Sequence, residues 1–235
     1  MKRKIPLPMM PSLATLHKLD VEEYAASVYW MDARELEKDA LFSKCYELVS
    51  YARRQKIDSY LFGRDKRLSL GAGILMDQGL CAYGLREKEV SVSYGKNGKP
   101  CLFGHPHIHF NLSHSGDRVL AVFAGRDVGC DIEKIQNADL PLAAEFFTEG
   151  EYAYIVGKKT KKERDEAFYR IWTLKESFLK ATGSGLTVPL NSFEVRILED
   201  EKIDLCQKVN HKTYYFKEYG FEEYRGAVCF QGSRP

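Results

Sequence analysis

Asp131 and Glu133 stand two apart in "VGCDIEKI", a stretch that is otherwise apolar. In a strand, residues i and i+2 leave the same face, so these two carboxylates sit side by side while Cys130 and Ile132 point the other way. Two carboxylates on one face repel unless a cation or a proton lies between them. A third acid, Glu176, falls in "FYRIWTLKESFLKATGSGL". Asp131, Glu133 and Glu176 together form an oxygen donor set suited to Mg²⁺, or Mn²⁺, with positions left for water and phosphate. Helical spacing puts Trp172, Glu176 and Lys180 along one face, and Ile171, Leu174 and Phe178 along a second that reads as core. The bland reading of Glu176 and Lys180 is an i, i+4 surface pair, with Lys175 a solvated neighbour.

"NLSHSGD" (Asn111 to Asp117) reads as a turn between strands, where Ser113 and His114 offer a hydroxyl and an imidazole to a phosphate. His105, His107 and His109 alternate in "HPHIH", a pattern compatible with Zn²⁺. Pro106 and the lack of nearby cysteine or acidic partners favour instead a loop running into a strand. No Walker loop, GxGxxG or HExxH occurs, and Ser113–His114 has no third member for a hydrolase triad.

The elements that must carry these residues follow from periodicity. Apolar positions from Glu35 to Leu80 predict at least two helices, with "RRQK" (Arg53 to Lys56) between them and Gly79 as a helix stop. Asn97-Gly98 marks a hairpin turn after Val90, Val92 and Tyr94. Val119 to Phe123 and Val128 to Glu133 read as strands joined across Gly125-Arg126-Asp127. Next come a helical stretch over "PLAAEFFTEGEYAYIV", the charge run "KKTKKERDE", whose bland reading is a solvated linker, the Trp172–Lys180 helix, and strands at Ser192 to Leu198, Lys212 to Tyr219 and Tyr224 to Phe230. Short antiparallel strands with segregated helices define an α+β fold. "LSLGAGILMDQGL" and "WTLKESFLKATGSGL" echo one another as helices ending in Gly-Leu.

A chain of 235 residues holds one sizeable core or two half-sized ones sharing an interface. Its formal net charge of +2 gives no global field for nucleic acid or an anionic membrane, so any anion site is a local cluster. Pro6, Pro8 and Pro11 interrupt what would be the apolar stretch of a signal peptide, and no later segment approaches the ~20 apolar residues of a membrane span. The expectation is a cytosolic protein. Six cysteines scattered without a CxxC pair read as free thiols, mostly buried.

"GKPCL", "FNLSHSGD", "VGCDIEKI" and "WTLKESFLKATGSGL", in that order, resemble the 4′-phosphopantetheinyl transferases of the surfactin-synthetase-activating (Sfp) type, from about Gly95 to Leu198. The resemblance implies transfer of the phosphopantetheine arm of coenzyme A to a serine of an apo acyl or peptidyl carrier protein, releasing adenosine 3′,5′-bisphosphate. It puts the metal on Asp131, Glu133 and Glu176, and the pyrophosphate on Lys180 with Lys175 close by. The adenosine 3′-phosphate falls on Ser113 and His114, and the adenine near Lys99 and Pro100. Glu176 or a water relay would take the serine proton, and Trp172 would wall the site or support the helix.

The same resemblance implies a monomer of two similar α+β halves, 1–125 and 126–235, with the cofactor in the cleft between them. Cys130 stands where an aliphatic residue is more common and is expected to pack as one. The first part of the chain leaves the family's further basic contacts to the 3′-phosphate unplaced, with Arg53, Arg54, Lys56 and Arg67 as candidates. Lys158 to Arg164 is a candidate contact for an acidic carrier helix. The competing readings are a Mg²⁺-dependent phosphohydrolase or nuclease built on the same acids, and a non-catalytic module that binds CoA or a carrier protein.

Overall fold

The computed structural model describes residues 16–21 and 25–232, so the leader reading of Pro6, Pro8 and Pro11 lies outside the described residues. The elements run β1 (His17–Val21), β2 (Ala26–Asp32), α1 (Asp39–Tyr46), α2 (Tyr51–Ser59), α3 (Gly63–Cys81), β3 (Val92–Tyr94), β4 (Pro100–Leu102), β5 (His109–Ser115), β6 (Arg118–Ala124) and β7 (Val128–Lys134). They continue with α4 (Leu140–Phe146), α5 (Glu149–Val156), α6 (Lys161–Thr182), β8 (Glu194–Ile197), β9 (Ile203–Cys206), β10 (Tyr214–Phe221) and β11 (Tyr224–Gln231). Among the described residues no helix is long and apolar enough to cross a membrane.

The fold is α+β, built on two antiparallel sheets in the orders β1-β2-β6-β5 and β10-β11-β7, with β3-β4 and β8-β9 as two-stranded hairpins. One face of the first sheet packs face to face on the second through Val28, Leu120, Val122, Cys130, Ile132 and Val228, all fully buried. The outer face of the first sheet is covered by α3, and α6 covers β7 and β11 of the second. The layers thus run helix, sheet, sheet, helix, with an apolar layer between the two sheets.

Several expected boundaries differ, each for a local reason. Arg53 to Lys56 lies inside α2, because Ser50 caps that helix by accepting from the Arg53 amide. Gly79 lies within α3 and does not stop it; a Cβ there would come 2.0 Å from the Phe123 ring, so the glycine serves packing. The stretch read as helical splits into α4 and α5 at Thr148, whose side chain and Glu151 form a capping box. "KKTKKERDE" is not a linker: Thr160 forms a second capping box with Glu163, and α6 starts at Lys161. β6 and β7 do not pair, since both edges of β6 are taken by β2 and β5, and the chain changes sheets across Gly125–Asp127. Cys45, Cys130 and Cys229 are buried free thiols, whereas Cys81, Cys101 and Cys206 are exposed.

The contact that places the chemistry is the approach of α6 to β7. A Cβ on Gly129 would lie 2.2 Å from the Ser177 carbonyl oxygen and 2.3 Å from the Ala181 amide, so the helix backbone rests directly on the strand. α6 ends at Gly183, whose φ of 70° suits glycine, and Leu174 and Phe178 bury its inner stripe completely. Gly129→Ala is expected to push α6 off β7 and destabilise the protein by about 3 kcal/mol, read by urea unfolding; a stability equal to wild type would contradict this packing.

Candidate active site

The acids and the lysine meet where β5, β7 and α6 converge. β7 is an edge strand, so its outward amides face β5, which belongs to the other sheet. Side chains of β5 satisfy them: Cys130 N donates to Asn111 Oδ1 at 3.0 Å, Ile132 N to Ser113 Oγ at 3.4 Å, and Lys134 N to Ser115 Oγ at 3.1 Å. "NLSHS" is therefore strand, not turn, with the reversal at Gly116–Asp117. Its alternation of Phe110 and Leu112 with Asn111, Ser113 and Ser115 was the available signal.

Asp131 is 2% exposed. Its Oδ1 accepts from Lys180 Nζ at 2.6 Å and from Ser113 Oγ at 2.8 Å, while its Oδ2, equally buried, has no hydrogen-bond partner among the described residues. Glu133 accepts from Ser115 Oγ at 2.6 Å. Burial raises the Glu133 carboxyl above the usual range; the Ser115 bond opposes this and the nearby Asp131 charge adds to it. Burial likewise raises Glu176, against Lys180 and with Asp131. For Lys180 burial alone would lower the pKa, but the Asp131 carboxylate more than offsets it and the ammonium is held firmly charged. The three acids thus act on one another electrostatically, yet among the described residues no three His, Cys, Asp or Glu side chains form a preassembled metal site. Lys180 holds Oδ1 of Asp131.

His114 points from the opposite face of β5 and keeps solvent access. Loss of water, then the Lys180 and Lys56 ammoniums, push its imidazole below the ordinary histidine range. Two cavities flank the β3–β4 hairpin. One of about 240 Å³ is lined by Lys99, Pro100, Asn111 and Lys180; the other, of about 380 Å³, by Arg53, Lys56, Val92 and Tyr94. The Lys99 ammonium turns inward, donating to the Ala181 carbonyl at 2.5 Å and lying 3.5 Å from Asp127. Arg53 lies 3.4 Å from the buried Glu87, Arg54 pairs with Glu47, and Arg67 pairs with Glu37 at 3.1 Å, away from the lining of either cavity.

Lys175 is not brought to the acids. It is fully buried on another face of α6, donating to Glu151 Oε1 at 2.5 Å and to the Phe193 carbonyl at 2.8 Å, with its ammonium 4.2 Å from the Phe193 ring centre. Position 175 lies one residue, or about 100°, around the helix from Glu176, and the packing of α5 and β8 claims that side. Trp172 stacks on Phe168 and approaches Phe147, which supports the helix rather than walling the acids. His105 and His107 face each other edge-on at 6.1 Å, and His109 Nδ1 lies 3.1 Å from Asp127. The thiol of Cys130 is pushed up to about 12 by burial and packs as an apolar group.

A sequence profile described as the 4′-phosphopantetheinyl transferase superfamily matches residues 127–229, and one described as 4′-phosphopantetheinyl transferase, N-terminal, matches residues 37–126. The chain belongs to the 4′-phosphopantetheinyl transferase family. The 4′-phosphopantetheinyl transferase ffp of Bacillus subtilis is 35% identical to it over 201 residues, covering 85% of this chain and 87% of that protein. The 4′-phosphopantetheinyl transferase Sfp of Bacillus subtilis strain 168 is 34% identical over 183 residues, covering 77% and 81%. The 4′-phosphopantetheinyl transferase psf-1 of Bacillus pumilus is 34% identical over 184 residues, covering 77% and 78%.

Because the folded-state pKa of Glu176 lies above its unfolded value, its ionisation costs stability at neutral pH, a cost that disappears as pH falls through the raised pKa. Glu176→Gln in chelator at pH 7.5 is therefore expected to raise Tm by about 2–4 °C. The difference should shrink on acidification. Calorimetry checks both, and a lowered Tm would contradict the electrostatic account.

Proposed function

We propose that the protein moves the 4′-phosphopantetheine arm of coenzyme A onto a serine hydroxyl of an apo carrier protein, releasing adenosine 3′,5′-bisphosphate. The observation that carries the reading is the buried Asp131 Oδ2, left without a partner where Glu133, Glu176 and Lys180 surround the same carboxylate. An acceptor in that position suits a cation, while the Lys180 ammonium holds the other oxygen, Oδ1. Asp131, Glu133 and Glu176 would hold Mg²⁺ or Mn²⁺. When bound, the ion neutralises charge on the pyrophosphate and polarises the bond that breaks.

Phosphoryl transfer of this kind is governed by positioning and electrostatics. The serine Oγ forms a bond to the phosphorus next to the pantetheine arm as that phosphorus loses its bond to the bridging oxygen, whose electrons leave with the adenosine bisphosphate. Lys180 hands Asp131 over and turns to the phosphates, where it stabilises the charge growing on the leaving group. Glu176, directly or through a water relay, would take the serine proton.

The cavities beside the hairpin divide the rest of the co-substrate. Lys99 and Pro100 border the adenine end, Lys99 as a strut that ties the hairpin to the end of α6. His114, Lys56 and Arg53 offer charge to the 3′-phosphate, and Arg67 is an outer candidate. Lys175 acts through the Glu151 pair, which fixes the turn of α6 that carries Glu176. Division into halves 1–125 and 126–235 at the sheet crossing, a monomeric state and a cytosolic location belong to the same proposal. Free thiols suit a reducing compartment.

An apo acyl carrier protein incubated with CoA, Mg²⁺ and this protein is expected to gain one phosphopantetheinyl group by intact-mass spectrometry, and to gain none with chelator. CoA binding without any gain would favour the binding module, and phosphate release without a carrier the phosphohydrolase. Asp131→Ala should reduce transfer by at least about 100-fold; full activity in that variant would remove the metal reading. A phosphate dianion beside His114 raises its depressed pKa, so CoA binding near pH 7 takes up a proton and weakens as pH rises through the bound-state pKa. Calorimetry in two buffers of different ionisation enthalpy measures that proton, and equal heats would remove His114 from the phosphate site.

A further inference from the structure

Ser113 and Ser115 are two apart on β5, as Asp131 and Glu133 are on β7, and the two pairs are matched atom for atom. Ser113 Oγ donates to Asp131 Oδ1 at 2.8 Å and accepts from Ile132 N at 3.4 Å. Ser115 Oγ donates to Glu133 Oε2 at 2.6 Å and accepts from Lys134 N at 3.1 Å. A hydroxyl has one proton and two lone pairs. In Ser113 the proton is committed to Asp131, and the lone pairs receive Ile132 N and Lys180 Nζ, the latter at 3.2 Å.

We propose that Ser113 and Ser115 are positioning residues, which set the rotamers and spacing of Asp131 and Glu133 for a divalent cation. The proposal rests on the reading of Asp131 and Glu133 as cation ligands. Each serine takes one carboxylate oxygen through a charge-assisted bond, and on Asp131 this leaves Oδ2 as the buried oxygen without a partner. Each also anchors its own rotamer on the amide that follows the acid it holds. The two acids are thereby clamped from one rigid strand, which also keeps their like charges from swinging apart.

The test uses the full-length chain with Ser113→Ala, Ser115→Ala, the two threonine variants and Asp131→Ala. Mn²⁺ affinity is measured by titration without carrier protein, and CoA affinity separately in chelator. Each alanine variant is expected to lose about tenfold or more in Mn²⁺ affinity, with CoA affinity in chelator unchanged for Ser115→Ala and with threonine restoring the metal. Unchanged Mn²⁺ affinity in the alanine variants, with lowered Tm alone, would reduce the serines to a structural role and overturn the proposal. Loss of CoA affinity in chelator for Ser115→Ala would overturn it as well. Should Ser113→Ala fail to fold, Ser115→Ala, at the partly exposed end of the seam, decides. Wild-type Mn²⁺ affinity in Asp131→Ala would instead overturn the cation reading itself, and this proposal with it.

Discussion

The seam between β5 and β7 is the constraint on which the rest depends. The edge strand β7 of one sheet meets side chains on a face of the other there without backbone pairing, and buried amides left unpaired would be costly. Asn111, Ser113 and Ser115 replace the missing carbonyls, which fixes the register between the sheets to one residue. That register places Asp131 and Glu133 opposite hydroxyls. On its other side β7 accepts the α6 backbone at Gly129, and this brings Lys180 within 2.6 Å of Asp131.

The two glutamates at this junction carry an electrostatic cost. Burial and the neighbouring carboxylates raise Glu133 and Glu176, opposed by the Ser115 hydroxyl on Glu133 and by Lys180 on both. Strain of this sort is tolerated where the rest of the structure over-determines it. The Lys175–Glu151 pair on the same helix shows the opposite design. Both side chains are fully enclosed and each has further partners, Phe193 O for the lysine and Val195 N for the glutamate, so the pair is a fixed strut between α5, α6 and β8. Breaking a buried pair of that kind costs about 3–5 kcal/mol.

Much of the fold was legible. The α+β class, the Asn97-Gly98 hairpin, the Trp172–Lys180 helix and the terminal strands followed from periodicity and turn residues, because those signals are local. The errors arose where local signals serve two purposes. Gly79 ends helices in general but here admits Phe123, and a charge run reads as linker until Thr160 is seen to cap it. "NLSHS" carries turn-forming residue types, yet its polar side chains are spent on the neighbouring sheet, which no window of the sequence contains. β1, β2 and β9 left no reading at all, being short or weakly alternating.

By itself the sequence determined the chemical inventory of the site: two acids on one strand face, a third acid and an ammonium on one helix face, and the spacing that keeps each set together. Those relations lie within single elements, where a period of 2 or 3.6 residues is enough to place them. Only the tertiary structure decided which adjacent lysine serves the site. Lys180 reaches Asp131, whereas Lys175 is claimed by Glu151, and Lys99 turns to Ala181 and Asp127. These pairings join residues from 24 to 82 positions apart, and their distances are set by how helix and sheet pack, a quantity that no local pattern encodes.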